Sequence, residues 1–240
     1  MTEPVTTALC HFAFARFTQE YWALDENERA DRVDLWLADL ERGARVVDTY
    51  RIFPAATDAD VCVWSSVEAD RPDAAALFFE AFARACTPMR RFAEFTGTLW
   101  GYAKRSQYSS ATRSVQALDP FATERPRYLV VYPFVKTSAW YRKSREERQR
   151  IMNEHMRIGK QYPDISQLLL YSFGLQDQEF VPVYAMDRLE RFSELVAELR
   201  GTEGRPYTER DWPVRVGWRT TAGLFGEYRI QFSGTGDASR

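Results

Sequence analysis

The strongest constraint on this chain is an order of secondary-structure signals that occurs twice in its 240 residues. "TALCHFAFARF" alternates as a strand does, and "DENERADRVDLWLADLERG" follows as an amphipathic helix with Val33, Leu37 and Leu40 on one stripe and Gly43 as its stop. "ARVVDTYRIF" and "ADVCVWSSV" read as strands around the turn "PAATD". "RPDAAALFFEAFARACTPM" is a helix opened by Pro72 and Asp73 and closed before Pro88, and "GTLWGYAKRSQYS" is a last strand. After a polar segment with two prolines the order returns. "RYLVVYPFV" is a strand rich in β-branched and aromatic residues, and "SREERQRIMNEHMRIGKQY" is a helix whose Ser144 and Glu147 fit a capping box. "SQLLLYSFGL" and "QEFVPVYAM" are strands around "QDQ", "DRLERFSELVAELRG" is a helix capped by Asp187 and stopped by Gly201, and "DWPVRVGW" is the last strand.

Two βαββαβ units predict an α+β protein made of two ferredoxin-like halves. A sheet with helices on one face must bury the other, and the halves can do so against each other as a dimeric α/β-barrel-like pair, with a pocket between sheet and helices. The expected division is residues 1–110 for the first half, 111–126 for a linker, 127–233 for the second half and 234–240 for a tail.

A hydrophobic share of 45% and a charged share of 28% are those of an ordinary globular protein, and a net charge of -2 gives no electrostatic case for nucleic acid or an anionic membrane. No apolar run reaches the roughly 20 residues of a membrane span, and the start lacks a signal peptide's basic and apolar regions. Cys10, Cys62 and Cys86 are odd in number and show no CxxC spacing, which suits a reducing compartment and argues against a disulfide framework or structural zinc. A cytoplasmic enzyme or binding protein is expected. The aromatic share of 15% fits either a large core or a pocket for a flat ligand.

Only two histidines occur. His11 lies on the first predicted strand and reads as structural or exposed. His155 shares a helix face with Ile151, Ile158 and Tyr162 at i, i+4, i+7 and i+11 spacing, so it points inward. An inward histidine is either a core imidazole bonded to a backbone carbonyl or the single protein ligand that haem iron needs. Gly159, one turn on, would let a flat ring approach. In "VVYPFVKTSAWYRK", Tyr132, Phe134 and Lys136 alternate to one face, and Trp140 and Tyr141 add aromatic area.

From Arg127 to Tyr207 the motifs Y-P-x-x-K, W-Y, E-R-x-x-x-M-x-x-H and G-L-x-D-x-E-F resemble the second half of the chlorite dismutase-like haem proteins, and more narrowly the coproheme decarboxylases. The first half matches in architecture alone. The resemblance implies two ferredoxin-like units, a homopentamer, and iron-coproporphyrin III as both substrate and cofactor, or haem b, bound through His155. Tyr132 falls on the redox-active tyrosine of the decarboxylases, Lys136 on a lysine that holds a propionate, and Trp140 on a tryptophan of the proximal side. Glu203 falls near an acidic residue that bonds the proximal imidazole, and Tyr108 at a propionate contact. The reaction it implies uses hydrogen peroxide to convert two propionates to vinyl groups, Tyr132 supplying the radical that removes a hydrogen from the propionate carbon. A ferrochelatase would be the coproheme donor.

Two departures bear on this. Chlorite dismutases carry a distal arginine after the histidine helix and an apolar residue at the tyrosine position, where this chain has Gln167 and Tyr132. In "GRPY", Pro206 stands where the decarboxylases place arginine, and Arg205 is shifted by one. The alternatives are chlorite dismutation or haem peroxidase activity, haem binding or sensing without turnover, and a metal-free oxygenase in which His155 is a core residue.

Overall fold

The computed structural model describes residues 7–103 and 116–219. Tyr108, the end of the strand expected at "GTLWGYAKRSQYS", the start of the expected linker and everything from residue 220 lie outside the described residues.

The first half runs β1 (Ala8–Phe17), a short helix α1 (Gln19–Trp22), α2 (Glu26–Glu41), β2 (Val46–Arg51), β3 (Val61–Glu68), α3 (Ala74–Cys86) and β4 (Ala93–Ala103). The second runs β5 (Tyr128–Val131), β6 (Val135–Lys136), α4 (Ser138–Arg142), α5 (Arg145–Gly159), β7 (Ser166–Tyr171), β8 (Phe180–Met186), α6 (Leu189–Arg200), β9 (Thr208–Arg210) and β10 (Arg215–Trp218). Eight strands close a barrel in the order β1-β3-β2-β10-β5-β8-β7-β4. Numbered within its own half, each sheet has the order fourth, first, third, second. The second strand of each half therefore meets the fourth strand of the other.

Strand alternation explains the layers. One set of side chains, among them Phe12, Phe14, Tyr50, Trp64, Leu129, Val131, Leu170 and Val183, fills the barrel. The opposite set meets the helices outside: Val61 and Val63 pack with Val33, Trp36 and Leu40 of α2, and Val130 and Met186 pack with Ile158 and Leu195. Both halves thus bury both faces of their sheets.

At both seams a glycine allows close approach. A Cβ on Gly101 would lie 2.7 Å from the Tyr171 carbonyl oxygen, and one on Gly217 would lie 2.8 Å from the Tyr50 Cβ. Residues 116–126, the later part of the expected linker, pack on the barrel: Leu118 joins its core, and Arg125 is buried against Asp48 with its guanidinium 3.7 Å from the Trp64 ring centroid.

Local differences from the sequence reading have physical causes. The predicted strand "RYLVVYPFV" breaks at Pro133, which has no N–H to give a ladder, so β5 ends at Val131, just before Tyr132, while Lys136 lies on β6, paired with β9 in a separate two-stranded sheet. Asp187 does not cap α6; its carboxylate accepts the Arg127 N–H at 2.8 Å, and Arg188 is the N-cap. The capping box of Ser144 and Glu147 on α5 is present. His11 is buried among Phe78, Phe79 and Phe82, and the three cysteines are free and buried.

Candidate active site: a histidine, a lysine and a tyrosine pair

Helix α5 is anchored by what it buries. Ile151 and Ile158 are buried, Tyr162 follows beyond its end, and the Gln116 side-chain amide donates to the carbonyls of Gly159 at 3.1 Å and Tyr162 at 2.7 Å. His155 sits half-buried between those two isoleucines. Burial, then the nearby Lys136 ammonium, pushes its pKa down to about 4, so the imidazole is neutral at physiological pH. A Cβ on Gly159 would meet nothing within 4 Å among the described residues, so the turn after His155 borders open space.

The break at Pro133 positions Lys136. Its backbone N–H donates to the Glu179 carboxylate at 2.8 Å, and Glu179 also accepts the Tyr141 hydroxyl at 2.5 Å. The Lys136 ammonium lies 4.5 Å from the ring centroid of buried Trp140 and 5.1 Å from that of Phe134. Trp140 rests in turn on Tyr207, centroids 5.8 Å apart. Burial first, then the Arg205 guanidinium, lowers the Lys136 pKa to about 8 against an opposing pull from Glu179. Arg205 bonds Asp211 at 2.6 Å, and Arg200 reaches the same oxygen at 3.2 Å. Three cations thus face two carboxylates, a balance that suits an incoming carboxylate.

Tyr132 lies on the helix-facing side of the second sheet beside Tyr184, with ring centroids 6.3 Å apart and planes at 16°. Burial, the Tyr184 phenol and the Asp211 carboxylate hold the Tyr132 pKa well above that of a free phenol. Gln167 is exposed on β7 directly opposite Tyr184, and its backbone N–H and carbonyl pair with Gln116 and Leu118.

The structure therefore brings His155, Lys136, Trp140 and Arg205 into one region, with Tyr132 joined to it through Asp211, and Gln167 in the row beyond. Glu203 stands apart: its carboxylate bonds Arg150 at 2.6 Å on the surface, and its N–H donates to Glu154, not to His155. Sequence reasoning missed Tyr184, Asp211, Glu179 and Gln116. Tyr184 did carry a signal, a polar ring inside the apolar run "VPVYAM", but its partner depends on register between strands far apart in the chain. Among the described residues no three His, Cys, Asp or Glu side chains gather as a metal site.

Two ferredoxin-like halves closed into one barrel define an α+β class of proteins, and comparison with known proteins gives that class a name. The family model described as chlorite dismutase matches residues 26–220, and the chain belongs to that family. It is 27% identical over 196 residues to the coproheme decarboxylase of Mycolicibacterium smegmatis, covering 80% of this chain and 82% of that protein. It is 39% identical over 82 residues to the coproheme decarboxylase of Staphylococcus carnosus, a match to 32% of each chain. The chlorite dismutase of Candidatus Nitrospira defluvii, solved in complex with imidazole, superposes with a TM-score of 0.75 at 24% identity over 89% of this chain and 91% of that one, a likeness of fold.

Proposed function

We propose that this protein is a coproheme decarboxylase: it binds iron-coproporphyrin III through His155 and, with hydrogen peroxide, converts two of its propionates to vinyl groups, giving haem b. The observation that carries this is a half-buried imidazole on α5 near Lys136, whose ammonium lies 4.5 Å from the ring centroid of buried Trp140, with the partly buried Tyr132 phenol on the same half. The residues fit the group. A neutral imidazole can give its lone pair to iron, and Gly159, one turn on, puts no side chain beside it. The cations Lys136 and Arg205 suit propionates, and Trp140 offers an aromatic wall.

The bound iron porphyrin would supply, with peroxide, the oxidising equivalents of the reaction. Lys136 orients a propionate by charge-assisted hydrogen bonding, which matters because hydrogen abstraction needs near contact. Tyr132, partly buried and resistant to ionisation, would give up a hydrogen atom and, as a radical, take one from the propionate carbon; the second of peroxide's two oxidising equivalents would remove the remaining electron, so that carbon dioxide leaves as the vinyl group forms. Gln167, neutral where an arginine would bring positive charge, favours this chemistry over chlorite dismutation. We further propose a cytoplasmic homopentamer supplied with coproheme by a ferrochelatase; three free buried cysteines suit a reducing compartment, and among the described residues no helix is long and apolar enough to cross a membrane.

Titrating the ferric coproheme complex with peroxide and weighing the extracted porphyrin tests the activity. Loss of two carboxyl groups is expected; bleaching without vinyl formation would leave a binding protein. Sedimentation at micromolar concentration should find about five copies of the 27.9 kDa chain; a monomer would remove the pentamer.

A further inference from the structure

The first half holds a cavity that has no part in the proposed reaction. It lies between α3, β1 and β4, and its volume of about 450 Å³ falls within the roughly 300–1,000 Å³ of small-molecule sites. Its lining is graded in depth. His11 of β1 stands at the buried floor, Phe79, Phe82 and Phe95 are half-buried walls, and Arg90 and Glu94 are exposed at the mouth.

The floor lacks a partner. His11 is 4% exposed, and its Nδ1 is sealed from solvent with no hydrogen bond among the described residues. Its ring meets Phe79 and Phe82 in T-shaped contacts, centroids 6.1 and 4.7 Å away, and neither side chain has a polar atom to offer. Buried polar rings are normally hydrogen-bonded, so this imidazole calls for a partner from outside the chain. At the mouth Glu94 is already paired with Arg16 at 2.7 Å, whereas the Arg90 guanidinium has no ion pair among the described residues. The charge left over at the mouth is therefore positive.

We propose that this cavity binds a flat aromatic hydroxy acid, with its rings between Phe79, Phe82 and Phe95, its hydroxyl on His11 and its carboxylate at Arg90. A hydroxyl is the matching group because it both donates and accepts, so it serves a neutral imidazole whichever nitrogen carries the proton. Burial pushes the His11 pKa down to about 4, so the floor has no charge to draw a carboxylate inward, and the acid enters rings first. The phenylalanine walls favour a flat ring in offset or edge contact. A plain hydrocarbon would leave His11 unpaired, and a cation would meet Arg90 at the mouth. His155 stands on α5 of the other half, so the proposal is independent of coproheme.

The chain has only two histidines, which makes the test direct. In ligand-free protein with ring-labelled histidine, His155→Ala assigns the His11 signal. Titration with 6-hydroxy-2-naphthoate, whose hydroxyl and carboxylate lie at opposite ends of two fused rings, should move the His11 signal saturably and leave that of His155 in place. The same titration with 2-naphthoate, which lacks the hydroxyl, should give about fivefold weaker binding, the value of one neutral hydrogen bond. Arg90→Leu should weaken the hydroxy acid about threefold, the modest worth of an exposed ion pair. Ala83→Trp, at an exposed helix position on the cavity wall, should abolish binding while circular dichroism stays that of the wild type. An unmoved His11 signal at millimolar acid overturns the proposal. So does equal affinity for the two naphthoates, a result that needs no variant. Binding that survives Ala83→Trp, or a shift confined to His155, would put the acid elsewhere and overturn it too.

Discussion

Replacing Lys136 by methionine should stabilise the ligand-free protein at neutral pH while weakening its hold on a propionate. The lysine pKa falls from 10.5 to about 8, chiefly through burial, then through Arg205, with Glu179 opposing. At ~1.4 kcal/mol per pKa unit this is a penalty of roughly 3 kcal/mol, and solvent screening of a half-buried side chain lowers it to about 2 kcal/mol. Methionine also gives up the ammonium's contact with Trp140 at 4.5 Å, worth about 0.5–1 kcal/mol. The net gain is about 1–1.5 kcal/mol, or roughly 2–6 °C in Tm for a chain of this size. The sign follows from the depressed folded-state pKa. Between about 8 and 10.5 the unfolded chain holds the proton that the folded one has released, so wild-type stability rises with pH across that window. The advantage of Lys136→Met is therefore full below pH 8 and fades by 10.5. Denaturant unfolding of both proteins at pH 7, 9 and 10.5 reads it directly. A variant less stable at pH 7, or a difference independent of pH, would refute the burial argument.

His155→Ala should abolish five-coordinate ferric coproheme binding and the iron–imidazole stretch in resonance Raman; the other histidine, His11, is buried among phenylalanines. Tyr132→Phe should still bind coproheme, about ten- to a hundredfold more weakly if its hydroxyl bonds a propionate, and yield almost no vinyl product at saturation by mass spectrometry. Gly101→Ala should cost about 1–3 kcal/mol in denaturant unfolding and more than Gly217→Ala, because its Cβ would lie 2.7 Å from a backbone carbonyl oxygen, whereas the carbonyl oxygen nearest a Cβ on Gly217 is 3.2 Å away.

The fold was largely legible because its signals are local. The alternation in "TALCHFAFARF" is the two-faced burial of β1, and the helix stripes through Val33 and Ile151 are the buried faces of α2 and α5. What escaped depends on contacts between distant segments. Pro133 sits in a run that otherwise reads as one strand, and only the pairing of β6 with β9 reveals the break. "ATRSVQALDPFATERP" looks like a solvated linker because its Arg125 is charged; its burial depends on Asp48, 77 residues earlier. In the candidate site, His155 and Lys136 were readable from motif and helix face. Tyr184 and Asp211 were not, since one needs the β5–β8 register and the other the turn that follows β9.

Duplication explains the barrel, and departure from duplication explains where the site is. Each half presents a fourth strand with a glycine to the second strand of the other, Gly101 against Tyr171 and Gly217 against Tyr50, so one seam is built twice. A symmetric seam gives each half the same space between its helices and the outer face of its sheet. In the first half aromatic side chains occupy that space: Trp36 is buried, and Phe78, Phe79 and Phe82 close around His11. They leave a cavity lined by His11, Phe79, Phe82 and Cys86, and the second half differs in the polarity of its facing residues. On α5 the corresponding face offers His155 between isoleucines and then Gly159, and the sheet beneath presents Tyr132, Tyr184 and Gln167 where purely apolar rings would have sealed it. Polar groups on such a face lose hydration when the helix covers them, and each needs a partner to be tolerated. Burial lowers the pKa of both His155 and Lys136. In the other half the same architecture surrounds its histidine, His11, with Phe78, Phe79 and Phe82.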